Sequence, residues 1–289
     1  MVIGIGKILK HRKKIDKKWR NGMKNIFCGL EASIKKCVIL MAGVLFMAVF
    51  ISQAIAADFQ IQPMTMELSS RVKSGVFSVI NTGGEKIDFQ VSAKEWNQDE
   101  KGKDVYADTK ELVFFPKVMS VEPNSQRAIR IGLRTPPSAK EKTYRLFVQE
   151  IPTPKKMTDA DAPKNIKAGV TIAFRFSMPI FVKPLKPQES YVIDKIEMSN
   201  GAVKAVLKNT GNAHVKLRAV KFSGKAADGK ELFSKEVAGW YILNGLSIPY
   251  EAAVPKDICE KLATIDVDSR TESGAVNGNL NVQKSMCAQ

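Results

Sequence analysis

The 289-residue chain sets 45 Lys/Arg against 29 Asp/Glu, a net charge of +16 of the kind a nucleic-acid binder carries. The excess is uneven, however, because eleven Lys/Arg stand before Ala57 against only Asp16 and Glu31. With two histidines in the whole chain, His11 and His214, a multi-histidine metal site is excluded.

The basic run HRKKIDKKWR (His11 to Arg20) reads as a nucleic-acid arm in isolation, but the apolar stretch after it explains it better. CVILMAGVLFMAVFI (Cys37 to Ile51) holds fifteen residues without a charge, with Lys35 and Lys36 before it and Ala54-Ile55-Ala56 after it. Positive flank, short apolar run and an A-x-A site predict a secretory signal peptide cleaved after Ala56. The alternative is a retained anchor, for which the run is short against the roughly 20 residues a spanning helix needs. The long basic flank suggests that translation starts at Met23. The mature chain, Ala57 to Gln289, is then 233 residues, which suits two domains of roughly 100–130 residues and no stable membrane insertion.

From Phe59 onward short alternating runs are broken by turn signals: VFSVIN (Val76 to Asn81), KIDFQVSAKEW (Lys86 to Trp96), LVFFP (Leu112 to Pro116) and AIRIGLR (Ala128 to Arg134). This spacing, without long helical periodicity, predicts a β-sandwich. YRLFVQEIP (Tyr144 to Pro152) and VTIAFRFSMPIFVKP (Val170 to Pro184) come next, joined by a polar loop. In the second, Val170, Ile172, Phe174, Phe176 and Met178 recur at period two and share one face. Such a strand is either the last core strand of a sandwich or one able to lend its edge to another chain.

Lys183 to Pro187 reads as a short, stiff hinge, after which the rhythm restarts in YVIDKIEMS, AVKAVLKN and HVKLRAVKFSG. PYEAAVPKDICEKLATIDVDS predicts a strand or short helix and a final strand. The reading is thus all-β, with an N-terminal domain over 57–184 and a smaller one over 185–289. Cys28 and Cys37 are lost with the leader, leaving Cys259 and Cys287 either as a disulfide tying down the chain end, as export favours, or as two separate thiols.

Enzyme readings are poorly supported. His214 is the single histidine after the leader, no G-x-G-x-x-G or P-loop occurs, and the NQDEKGKD segment with Tyr106 lacks EF-hand spacing. Trp96 and Trp240 are expected to pack inside the two domains.

The signal peptide, two sandwiches with a short hinge, SVEPNSQRAIRI (Ser120 to Ile131), YRLFVQEIP, and a long loop into a strand ending PIFVKP together resemble the PapD-like periplasmic chaperones of the chaperone–usher pilus pathway. The resemblance spans about residues 58–250. It implies two immunoglobulin-like domains at an angle, no enzymatic activity and no cofactor. Its implied partners are pilus or fimbrial subunits and an outer-membrane usher, with no nucleic acid and with self-capping dimers as an option. By this resemblance the chain donates a strand to a subunit lacking one, through Val170, Ile172 and Phe174, while Phe176 and Met178 stay in its own core. Three buried apolar side chains would supply about 4–9 kcal/mol before ordering costs.

Two basic cleft residues anchor the subunit's C-terminal carboxylate in the family. The first matches Arg71. The second falls on Pro179, and Arg175, on the same face of the strand, is the substitute, a departure that marks a divergent branch. Glu150 and Lys183 match an interdomain ion pair, or else form a surface pair worth about 0–1 kcal/mol. The rival reading is an exported two-domain structural or adhesive module.

Overall fold

The computed structural model describes residues 59–152, 172–272 and 274–287. The predicted leader with its Ala56 cleavage site, the Met23 start, Val170 and most of the loop before it lie outside the described residues.

The first sandwich is built from β1 (Phe59–Gln62), β2 (Met66–Leu68), β3 (Ser74–Asn81), β4 (Ile87–Gln98), β5 (Asp104–Asp108), β6 (Leu112–Phe115), β7 (Val118–Val121), β8 (Gln126–Leu133), β9 (Lys142–Ile151) and β10 (Arg175–Val182). One sheet runs β1-β3-β8-β6, and the other runs β2-β10-β9-β4-β5 with β7 also paired to β4. Alternation decides the core. Phe77, Val79, Ile129 and Ile131 of the first sheet meet Phe89, Val91, Leu146, Val148, Met178 and Ile180 of the second.

The second sandwich comprises β11 (Tyr191–Ser199), β12 (Ala202–Asn209), β13 (Val215–Lys225), β14 (Glu231–Ala238), β15 (Tyr241–Ile242), β16 (Ser247–Ala253), β17 (Thr264–Thr271) and β18 (Ala275–Asn281), with one helical turn, α1 (Lys256–Cys259). Its sheets run β11-β12-β16 and β14-β13-β17-β18, with β15 paired to β13. Val203, Ala205 and Leu207 face Val220, Phe222, Ile265 and Val267 across the core. Cys259 is disulfide-bonded to Cys287, which ends a 3-10 turn (Lys284–Cys287). Among the described residues no helix is long and apolar enough to cross a membrane.

The two sandwiches repeat one turn device. Asn81-Thr82-Gly83 and Asn209-Thr210-Gly211 each end a strand with a buried Asn. Asn81 Nδ2 donates to the Glu85 and Val121 carbonyls, and Asn209 Nδ2 donates to those of Ala213 and Ile242. Each Asn side-chain oxygen accepts the amide of the glycine two residues on, at 2.9 Å. Gly211 is required by crowding, since a Cβ there would lie 2.0 Å from the Gln188 carbonyl oxygen.

A third apolar cluster joins the sandwiches: Trp96 and Phe181 from the first, Tyr241 and Leu243 from the second. Gln98 ties its rim, donating to the Tyr241 carbonyl at 2.8 Å and accepting the Leu243 amide at 3.1 Å. The tryptophans therefore differ from expectation. Trp96 is buried at the junction of the sandwiches, and Trp240 is 48% exposed. The link after β10 is clamped by Asn212, whose side chain bonds the Lys186 and Ala139 carbonyls and the Gln188 amide.

Candidate functional site

β10 lies between β9 and β2, but its two sides are covered unequally. β9 pairs antiparallel along all of it, from Arg175 opposite Gln149 to Val182 opposite Lys142. β2 pairs parallel only with Ile180, Phe181 and Val182. Among the described residues, no strand pairs with the other side of Arg175 to Pro179.

The core face of this strand grades from buried to exposed toward its N-terminal end. Met178, Ile180 and Val182 are buried. Phe176 and Phe174 are half-buried, their rings 5.1 and 6.4 Å from that of Phe59. Ile172, two residues further out, is 67% exposed. Of the three residues read as strand donors, then, Ile172 is open, Phe174 already packs on the chain's own core, and Val170 lies outside the described residues.

The opposite face carries the polar and aromatic side chains of the sheet. Arg175 lies over the Phe147 ring at 4.1 Å, and that ring meets Tyr106 edge-on at 5.2 Å. Pro179 stands across from Arg145. Arg145, beside it on this face, is a residue that the sequence does not single out. It is 4% exposed, 3.8 Å from the centroid of Trp96 and 5.6 Å from that of Trp240, with Nη2 3.4 Å from Asp104 Oδ2. Burial pulls its pKa below the ordinary guanidinium value, while Asp104 holds it up. The alternation in YRLFVQEIP puts Arg145 and Phe147 opposite the core residues; that a second sandwich covers Arg145 is not written there.

Of the two residues read as carboxylate anchors, Arg175 projects from this face. Arg71 stands exposed on the β2–β3 connection, where Ser69 Oγ accepts its amide at 3.3 Å.

Glu150 and Lys183 are not brought together. Lys183 Nζ lies 2.7 Å from Glu67 Oε2, within the first sandwich, and the Glu150 carboxylate accepts the Phe174 amide at 3.3 Å. The antiparallel register is the reason: it sets Glu150 at one end of the β9–β10 ladder and Lys183 just past the other, roughly 30 Å along the strands. Among the described residues, an ionisable side-chain pair that does link the sandwiches is Glu141 with His214, at 2.8 Å.

No curated protein sequence matches the chain. Residues 58–188 match the family described as "Pili and flagellar-assembly chaperone, PapD N-terminal domain". Among solved structures, the CsuC–CsuE chaperone–tip adhesion subunit complex of Acinetobacter baumannii is similar at 20% identity and TM-score 0.52, covering 77% of this chain and 98% of that one. The Salmonella enterica SafA pilin–SafB chaperone complex gives 14% identity and TM-score 0.47 over 78% and 98% of the two chains. The CupB2 chaperone of Pseudomonas aeruginosa gives 17% and 0.45 over 78% and 100%. At these identities the likeness is one of fold. The stretch 58–188 is thus a PapD N-terminal domain of the pili and flagellar-assembly chaperones, and the paired sandwiches have the fold found in the CsuC–CsuE chaperone–tip adhesion subunit complex.

Proposed function

We propose that this chain is a periplasmic chaperone that holds pilus or fimbrial subunits by adding the residues leading into β10, together with the open edge of β10 itself, to their incomplete sandwich and delivers them to an outer-membrane usher. The observation that carries this reading is the PapD N-terminal domain whose last strand has an open side from Arg175 to Pro179 among the described residues. An open strand edge supplies main-chain hydrogen bonds, and alternating side chains fill pockets of the acceptor. The solved complex of similar fold that holds a tip adhesion subunit supports a subunit as the occupant. In this reading Ile172, Phe174 and Val170 contact the subunit, and Arg71 and Arg175 are the cations offered to its carboxylate. Export would remove residues 1–56 and leave domains at 57–184 and 185–289.

The test is expression with neighbouring secreted proteins in a Gram-negative host, purification from the periplasm, and mass spectrometry of whatever is retained. A stoichiometric small sandwich protein lacking its final strand supports the chaperone reading. A clean monomer beside its candidate subunits returns the reading to an exported structural module.

A further inference from the structure

Pro179 occupies the point on β10 where covered edge gives way to open edge. The Glu150 amide donates to the Phe174 carbonyl at 2.9 Å, so even-numbered residues of this strand turn their main-chain groups toward β9. Odd-numbered residues turn the other way, as Lys183 does in donating its amide to the Leu68 carbonyl at 2.8 Å. Beyond the end of β2 the open side therefore presents the groups of Pro179, Ser177 and Arg175 in turn.

These three are not equivalent. Proline has no N–H, so position 179 offers no donor. The Ser177 carbonyl already faces Arg145 Nη1, at 3.5 Å. Within β10 the usable donors on the open side are the amides of Ser177 and Arg175. A client strand slid toward β2 would set a carbonyl against the pyrrolidine ring and leave it unpaired. Slid the other way, it would forfeit the Ser177 donor. A slip by one residue would turn its apolar side chains to the wrong face.

We infer that Pro179 sets the register at which an immunoglobulin-like subunit's strand adds to β10, the ladder beginning at Ser177 and running toward Arg175. This rests on the strand addition proposed above and adds the residue that fixes where it stops. A proline on an edge also guards against indiscriminate pairing, a role that would fix no register.

The experiment is residue-resolved amide hydrogen exchange on the mature chain, free and bound to the subunit that co-purifies from the periplasm. In the wild type, binding is expected to slow the Ser177 and Arg175 amides by at least about tenfold, while Phe176 and Met178, bonded to β9, are slow throughout. In Pro179→Ala the protected run extends to position 179. Ser177→Pro, which removes no bond to β9, lowers subunit affinity at least about tenfold in a folded protein. If protection in Pro179→Ala still stops at Ser177, or Ser177→Pro binds normally, the register is set elsewhere and the inference fails while strand addition stands. If the bound wild type shows no protection at Ser177 and Arg175, or no subunit is retained, strand addition itself fails and the inference with it.

Discussion

The Glu141 side chain is wholly buried and meets one residue of the other sandwich twice: its Oε2 accepts the His214 amide at 2.7 Å and lies 2.8 Å from His214 Nδ1. The His214 ring in turn stacks on Phe181, centroids 3.7 Å apart. Around them the Glu141 amide donates to the Asn212 carbonyl at 2.8 Å, and Asn244 Nδ2 donates to the Glu141 carbonyl at 2.9 Å. The β8–β9 connection is thus bonded into the second sandwich at side chain and main chain alike.

Removing that carboxylate strands two donors at a buried junction. Glu141→Ala is expected to cost about 2–4 kcal/mol in urea unfolding, and Glu141→Gln, which keeps an acceptor oxygen, clearly less. Equal losses for both would mean that the junction depends on charge and not on acceptor geometry.

Ile172 and Phe174 separate binding from stability. Ile172 is exposed, so Ile172→Asp is expected to change unfolding free energy by no more than about 0.5 kcal/mol while abolishing subunit retention in periplasmic pull-downs. Phe174→Asp is expected to lose the subunit and also about 1–3 kcal/mol of stability, because its ring packs near Phe59. Normal retention by Ile172→Asp would remove that residue from the contact.

The Cys259–Cys287 disulfide spans a sequence separation of 28 and ties the terminal turn to α1. Closing a loop of that length restricts the unfolded chain by about 3–4 kcal/mol in the entropic account. Cys259→Ser with Cys287→Ser is expected to lower the thermal midpoint of the second sandwich. Urea unfolding followed through Trp240, in the second sandwich, should move more than that followed through Trp96.

Glu111 gives the first sandwich an acid sensitivity. Its carboxylate lies 2.6 Å from Lys142 Nζ and accepts the Tyr144 hydroxyl, and these two bonds hold its pKa below the ordinary 4.5. A depressed carboxylate pKa contributes stability that is present above the unfolded value and lost as pH falls through the folded one. Stability is therefore expected to decline on acidification below about pH 4.5, and Glu111→Gln to flatten that part of the curve. Burial, reinforced by the same bond, raises the Tyr144 pKa, so the phenol stays protonated and donating through the alkaline range.

What the sequence determined by itself is local. Period-two alternation is a property of neighbouring residues, so Val203, Ala205 and Leu207 are assignable to one face of β12, and Met178 to the core side of β10, without any knowledge of the fold. Where the pattern is weak, strands escape the reading. β5 has the composition of a polar loop, and β18, with the composition AVNGNLN, lies beyond the strand predicted to be the last. Asn, Asp and Gly carry little strand propensity, and β18 pairs because β17 lies beside it.

Tertiary structure alone decided the contacts that depend on register and on what covers a face. Lys183 pairs with Glu67 and not Glu150 because antiparallel pairing sends the ends of β9 and β10 in opposite directions. Arg145 and Trp96 are buried on a face that alternation marks as outward, because the second sandwich lies against it. A pattern along one strand says which way a side chain points, but what it meets there depends on residues tens of positions away, brought close only when both sheets and both sandwiches have formed.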